Sequence, residues 1–552
     1  MVGKQKVLQV HPNDNVLVAL QDLVKGEIVS FNGNSYHLLE PVTAKHKFTI
    51  AHIPKDGNII MYGVLVGKAM IDLPMASRIA TENTRHATND FKLGKRKTEW
   101  QIPNVDQWKN KTFLGYHRKD GSVGTANYWL VIPLVFCENR NIEVMKEALL
   151  DELGYARPKR YHQFTKNLAG LYKTEKGIAK IEAEIFQEQN IESGADPLFK
   201  NVDGIKFLTH EGGCGGTRSD AEALCGLLAG YITHPNCAGA TVLSLGCQHA
   251  QSTMLQEEIR KRNPAYDRPL YILEQQLAGT ETKLIETAIK QTFIGLVHAN
   301  EQTRMSASLS KLVIGLECGG SDGFSGISAN PAIGHSSDLL VALGGSVILS
   351  EFPELCGVEQ ELSDRCVQEE KANKFMQLMK LYNKRAEETG SGFYMNPSPG
   401  NIKDGLITDA IKSAGAAKKA GTSSVEDVLD YPEKLTKTGL NLLCTPGNDV
   451  ESTTAEVASG ATIVLFTTGL GTPTGNPIVP VIKIATNTAL FNKMKDIIDI
   501  NTGTIIEGEE TIEAAGERIL EYVIDVASGI KTVHAMRHRQ DDFIPWKRGV
   551  SL

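Results

Sequence analysis

The sequence predicts an α/β protein: a small all-β module at the N-terminus, then large α/β domains with mainly parallel, buried strands. Three observations predict it. From Phe113 onward, apolar runs alternate with helix-like segments. Several of those runs are continuously apolar, as strands covered on both faces of a parallel sheet are. Before residue 91 the pattern is instead one of short strands broken by turn residues.

Residues 1–91 form the β module. Its strands are Asn15–Leu20, Lys47–His52 and Ile59–Leu65, and Gly26, Asn32-Gly33 and Asp56-Gly57 supply the turns. Residues 92–111 are charged, with little apolar periodicity, and read as a linker. Residues 112–260 are expected to form a first α/β domain and residues 261–552 a second. The runs Tyr128–Phe136, Ala240–Leu245, Leu312–Leu316, Ser346–Leu349 and Ala461–Phe466 are the buried strands, with helix-like spacing over Thr217–Ala229 and Ser336–Gly344 between them. Residues 151–200 are charged and less periodic, as a helical insertion would be. No internal repeat stands out.

A chain of 552 residues with 41% hydrophobic content buries large cores and divides into two or three domains. No apolar stretch reaches the roughly eighteen residues that span a membrane. Met1–Gln9 lacks the apolar core and cleavage site of a secretory signal, so a cytoplasmic protein is expected. A net charge of −7 argues against nucleic-acid binding. Nine cysteines, an odd number with no Cys-x-x-Cys pair, suit reduced thiols. On that spacing an aconitase-like cluster is not expected, while single metal ions with mixed ligands stay open.

The chemistry concentrates in strand-end segments. After the apolar run Lys311–Leu316, the stretch to Pro331 sets Glu317, Cys318, Ser321, Asp322, Ser325 and Asn330 on glycine-rich backbone. Glycine lets main-chain N–H groups approach a ligand, and the polar side chains suit a metal or a polyol. His210-Glu-Gly-Gly-Cys214 follows the run Gly204–Leu208, and Cys247-Gln248-His249 ends the run before it in the same way. His210, Cys214, Glu317 and Asp322 are candidate metal ligands, and His210 a candidate catalytic group. Phe466–Gly475 also runs from a strand into a glycine loop. It lacks the Lys-Ser/Thr step of a phosphate loop, and Pro477 and Pro480 stand where a helix should start.

Leu316–Pro331 as a whole resembles the altronate/galactarate dehydratase family, and other segments match that family in order. They are Phe113–Tyr128, Ser244–Gln248, Pro397–Asn401, Thr445–Gly447, Phe466–Gly471 and Ile484–Ala489, with His210, Gly213, Cys214 and Gly215 matching its His-x-x-Gly-Cys-Gly pattern. The resemblance runs from about residue 10 to the end. It implies that the β module is a SAF domain, that the substrate is a sugar acid losing water, and that the cofactor is iron(II), with manganese(II) the alternative. Such a reaction must stabilise an enediolate and help a β-hydroxyl leave, which asks for a Lewis acid and positioned proton carriers.

The resemblance further implies roles for Lys45-His46-Lys47: His46 as base or metal ligand, Lys47 beside it as a catalytic group. Arg118, Asn127, Ser321, Asn330 and Lys483 lie in or beside matched segments and are the expected substrate contacts. The chain also departs from the family. A usual Val-His-x-His-Asn run corresponds to Ile79–Asn83, so Ala80 and Glu82 replace two histidines, and Glu82 becomes a candidate ligand. Ala126 stands where arginine is usual. The ending Asp542–Gly549 and Ala485–Ala489 resemble altronate enzymes more than galactarate ones, and a two-chain sulfolactate lyase fits less well. A non-catalytic sugar-acid sensor is the alternative outside enzymes. The expected partner is the small-molecule substrate alone, with no nucleic acid or membrane, and a homo-oligomer is compatible with the sequence.

Overall fold

The computed structural model describes residues 5–156, 160–175, 178–186 and 196–552. The N-terminal module is all-β. Val7–Leu8, Val16–Ala19, Lys47–Thr49 and Arg78–Ile79 form one antiparallel sheet. Ile28–Phe31 pairs with Asn34–His37 in a hairpin, and Asn58–Met61, Val64–Ala69 and Thr84–Arg85 form a second sheet.

The module is built by repetition that the residue types hide. Isolated bridges join Leu23 to Val42 and Ile53 to Leu73. Three positions after each of these four residues the backbone turns left-handed, at Gly26, Lys45, Asp56 and Ala76. Side chains other than glycine resist that conformation. The geometry of the repeat therefore imposes it on Lys45, with φ of 76°.

The 92–111 segment is no free spacer. Arg96 Nη1 donates to the Ser363 carbonyl, Lys97 pairs with Asp364 at 3.0 Å, and fully buried Trp108 donates to Glu521 at 2.7 Å. It straps the β module to the C-terminal domain.

Next comes a four-stranded parallel sheet, ordered Gly204–Phe207, Tyr128–Pro133, Cys237–Ser244, Leu270–Glu274. Helix Arg218–Thr233 covers it, started by the capping box of Thr217 and Asp220. Because Leu270–Glu274 completes this sheet and helix Glu281–Ala299 packs on it, the domain extends past the expected boundary at 260. Helices Arg160–Glu175 and Ile178–Ala183 fall in the charged 151–200 segment; residues 157–159, 176–177 and 187–195 lie outside the described residues.

The C-terminal domain carries a seven-stranded parallel sheet. Its order is Val425–Leu429, Gly439–Leu443, Ser346–Leu349, Val313–Cys318, Ile463–Thr468, Val481–Ala485, Ile500–Asn501. The core strands are buried along their whole length, as expected of apolar runs under helices on both faces. Connections leave Val313–Cys318 towards one edge and Ile463–Thr468 towards the other. The crevice at their carboxyl ends is the topological switch point, where open α/β sheets bind ligands. Among the described residues no helix is long and apolar enough to cross a membrane.

Packing in the second domain is tight enough to test. A Cβ built on Gly295 would fall inside the Trp129 ring. Gly295→Ala should therefore destabilise the fold by about 2 kcal/mol through overpacking. A lowered melting temperature is expected, and an unchanged one would contradict this helix–sheet contact.

Candidate active site

The loops at the switch point gather charge out of water. Glu317 and Cys318 end their strand; Ser350, Glu351 and Glu354 follow Ser346–Leu349; Thr445 and Asp449 follow Gly439–Leu443; Glu456 rises from helix Asp449–Ser459. Glu317, Cys318, Glu351, Glu354 and Glu456 are all buried. Isolated buried carboxylates cost several kcal/mol or take up a proton. Both answers are used here.

Lysine answers the first pair. Lys419 Nζ lies 2.5 Å from Glu351 Oε2 and 3.0 Å from Cys318 Sγ, and Lys412 Nζ lies 2.6 Å from Glu354 Oε1. Burial opposes the charge on each ammonium. The facing groups overcome it, Cys318 and Glu351 at Lys419 and Glu354 at Lys412, so both lysines hold their protons more tightly than usual.

Protonation answers the second pair. Ser350 Oγ stands 3.0 Å from Glu317 Oε1 and 2.8 Å from Glu456 Oε1. One hydroxyl donates one proton, so the other contact needs a carboxyl that carries its own. Burial first, then the neighbouring carboxylates, push Glu317 well above the ordinary range, and burial leads the rise of Glu456 to about 8. The outer oxygens, Glu317 Oε2 and Glu456 Oε2, have no hydrogen-bond partner among the described residues. Glu351 rises to about 7 and holds a left-handed backbone, φ 59°, with its Oε1 also unpartnered. Such strain at a buried side chain marks a position held for function.

One ligand atom each from Cys318, Glu351 and Glu354 converge within 4.8 Å, a spacing a metal ion can bridge. A thiol with two carboxylates is a mixed donor set that a transition metal accepts. Lys419 now supplies the positive charge there, so an ion and this ammonium compete for one place.

Lys483 lies beside this cluster. Its Nζ is buried without a hydrogen-bond partner among the described residues, 3.5 Å from the centroid of the Phe466 ring, and burial lowers its pKa to about 7. Asp449 faces it and is itself raised to about 6, by burial and by Glu354.

The β module closes the crevice. Lys45 Nζ reaches Asp322 Oδ2 at 3.0 Å and Asp404 Oδ1 at 2.7 Å. His46 Nε2 pairs with the Lys403 carbonyl at 2.9 Å, while its Nδ1 is buried and unpartnered among the described residues. Lys47 Nζ donates to the Gly405 carbonyl at 2.6 Å, and burial lowers its pKa to about 7. Gly323 and Gly405 permit this approach, since a Cβ on either would collide with the Lys45 backbone.

The expected residues thus divide. Glu317, Lys483, His46 and Lys47 lie at the crevice, as does Ser321, whose buried Oγ has no partner among the described residues. Asp322 is there too, but its two oxygens already serve Lys45, Phe324 N, Ser325, Thr486 and Asn487. It ties loops together rather than standing open for a metal. Asn330 has both amide ends engaged, by the Gly415 carbonyl and Thr467 Oγ1.

Arg118 and Asn127 precede the Tyr128–Pro133 strand, at the amino end of its parallel sheet. They bind each other and the carbonyls of Pro235, Asn201 and Ala299, holding fold rather than substrate. Glu82 is exposed and paired with Arg78. His210 has both ring nitrogens bound, to the Pro133 carbonyl at 2.7 Å and the Gly212 N–H at 3.1 Å. Burial lowers its pKa to about 4, so it is a neutral fastener of its loop. Cys214 lines a separate cavity of about 280 Å³ between the second domain and the C-terminal stretch Phe543–Lys547.

Glu351, Glu354, Lys412, Lys419, Asp449 and Glu456 were not foreseen. Ser350-Glu351-Phe-Pro-Glu354 directly after an apolar strand carried the same signal as the segment at Glu317. The helical residues carried none.

A strand-end cluster of buried, paired acids and lysines, closed over by the β module, is chemistry of the kind enzyme sites use. Comparison with known proteins supplies the particular family. Residues 5–87 match the altronate/galactarate dehydratase SAF domain, 115–300 the second domain of D-galactarate dehydratase/altronate hydrolase, and 309–551 the C-terminal domain of D-galactarate/altronate dehydratase. The chain is 34% identical to an altronate dehydratase of Bacillus subtilis (strain 168) over 550 residues, 99% of each chain. It is 33% identical to an altronate dehydratase of Escherichia coli (strain K12), again over 99% of each. A galactarate dehydratase (L-threo-forming) of the same strain is 32% identical over 529 residues, 95% of this chain and 93% of that one. The chain belongs to the altronate/galactarate dehydratase family, and it is a hydro-lyase.

The buried amine at Lys483 makes a prediction about pH. Folded, it loses its proton above about pH 7, whereas the unfolded chain keeps it up to the ordinary value of 10.5. Between these limits the unfolded state binds the extra proton, so this residue makes stability rise with pH. Melting temperatures of the parent should climb more from about pH 7 to about pH 9 than those of Lys483→Met. Parallel slopes would contradict a neutral buried amine.

Proposed function

We propose that the protein removes water from D-altronate to give 2-dehydro-3-deoxy-D-gluconate, as a cytoplasmic enzyme of hexuronate catabolism. The observation that carries this reading is the likeness to two altronate dehydratases over 99% of the chain. The crevice supports it chemically. An aldonate brings a carboxylate, and the unpaired Lys483 Nζ regains its proton when an anion arrives beside it. The α-proton needs a base that is partly neutral near pH 7, and Lys47, at about 7, meets that requirement. His46 stands next to it with a free ring nitrogen.

Cys318, Glu351 and Glu354 would hold iron(II), or manganese(II), and thiolate among the donors favours iron. When bound, such an ion supplies Lewis acidity for the anionic intermediate. The substitutions at Ala80 and Glu82 remove nothing from this donor set. That weakens the reading of the chain as a sugar-acid sensor. Galactarate is the nearest alternative substrate, because a galactarate dehydratase is almost as similar.

Anaerobically purified protein, loaded with iron(II) and offered altronate or galactarate, should form 2-keto acid from altronate and lose that activity to a chelator. Glu351→Gln should lower kcat about 10²-fold, as loss of one strong electrostatic contact does. Product from galactarate alone would move the assignment to that substrate. Product from neither would overturn it.

A further inference from the structure

Three of the nine cysteines are exposed, and they share one place in the fold. Cys137, Cys214 and Cys247 are exposed, Cys356 is half-buried, and the other five are buried. Cys137 follows strand Tyr128–Pro133, Cys214 follows Gly204–Phe207, and Cys247 follows Cys237–Ser244. These three strands are parallel neighbours with Tyr128–Pro133 in the middle. All three thiols therefore stand at the carboxyl edge of one sheet, the edge where such sheets bind ligands.

Their loops are fastened to one another. Phe136 N, next to Cys137, donates to the Gly212 carbonyl at 3.0 Å. Ala250 N, three residues after Cys247, donates to the Gly213 carbonyl, next to Cys214, at 3.0 Å. His210 Nε2 donates to the Pro133 carbonyl, and Asn139 Nδ2 to that of His210. Gln248 closes the third loop, its Oε1 accepting from Gly246 N at 2.7 Å and its Nε2 donating to Ser244 Oγ at 2.6 Å. A Cβ on Gly213 would collide with the Leu134 carbonyl, so the first two loops meet at backbone distance. Buried polar side chains, His210 and Gln248, are spent on holding three exposed thiols in register.

Three thiols around a single ion would stand about 4 Å apart, as tetrahedral metal–sulfur bonds of about 2.3 Å require. Among the described residues only Cys318, Glu351 and Glu354 converge within 4.8 Å. The three exposed thiols are not such a set; ligands delivered by three separate loops suit a polynuclear centre rather than one ion.

We propose that Cys137, Cys214 and Cys247 hold a four-iron, four-sulfide cluster at the carboxyl edge of the second domain's sheet. Three thiolates leave one iron without a cysteine. Beside Cys214 that iron faces the cavity of about 280 Å³, where Glu211 and His249 supply non-sulfur donors. The site needs no Cys-x-x-Cys spacing, because three separate strands deliver its ligands. It is independent of the proposed substrate and of the Cys318 donor set.

The test uses the full-length chain, purified without oxygen and reconstituted with equal iron(II) and iron(III) and with sulfide, with acid-labile sulfide and the visible sulfur-to-iron absorption as readouts. About four sulfides per chain are expected, falling below about one in each of Cys137→Ser, Cys214→Ser and Cys247→Ser. Cys318→Ser and Cys366→Ser should keep the parent's sulfide. Because a mononuclear ion carries iron but no sulfide, this readout stays separate from the other site. The exposed serine variants should melt with the parent, so loss of sulfide reports ligation rather than unfolding. Iron bound without sulfide, or sulfide unchanged in all three variants, would overturn the proposal.

Discussion

The neutralisation of buried charge at one sheet edge is the constraint on which the rest of this structure depends. Four carboxylates, Glu317, Glu351, Glu354 and Glu456, end up out of water beside Cys318. Two meet ammonium groups, from Lys419 and Lys412; two are held as neutral acids around Ser350. Removing one member of such a pair leaves an uncompensated buried charge, which costs about 3–5 kcal/mol. A set this costly persists where its charge is used, and a parallel sheet's switch point is the place to use it.

The β module belongs to the same electrostatic system. The repeat within it forces Lys45 into a left-handed turn, and that turn delivers Lys45, His46 and Lys47 together to the crevice. Asp322 receives Lys45 while also gathering Ser325, Thr486 and Asn487 from two loops of the sheet. The 92–111 strap fixes the module from the other side through Arg96, Lys97 and Trp108. Two of the roofing and crevice amines, Lys47 and Lys483, are buried enough to give up their protons near neutrality. A lysine so tuned is a base rather than a fixed charge.

The strands were legible because parallel strands buried on both faces must be continuously apolar, and Leu312–Leu316, Ser346–Leu349 and Ala461–Phe466 are. The family was legible for a different reason, through glycines and polar residues at strand ends. Glu317 could be read because it ends such a strand, whereas Lys483, in mid-strand, and His46 and Lys47, in the β module, were reached only through the resemblance. Arg118 and Asn127 misled because a matched segment can lie at the amino end of a strand, where its polar groups satisfy backbone. His210 misled because a strand-end imidazole can spend both nitrogens on its own loop. Lys412 and Lys419 were invisible because helical lysines announce nothing until tertiary packing buries them. The 92–111 strap read as a linker since its two buried anchors, Val105 and Trp108, are too few to make a periodic pattern. The repeat in the β module escaped notice because only one of its four left-handed positions is glycine.

The central claim is that Cys318, Glu351 and Glu354 form the metal-accepting heart of the crevice, with Lys419 as the charge an ion displaces. Anomalous diffraction at the iron edge, from crystals grown without oxygen in iron(II), tests it most directly. A single-ion peak among these three side chains is expected, with the Lys419 ammonium moved away. Lys419 still bound to Glu351, with no iron between the three donors, would contradict it.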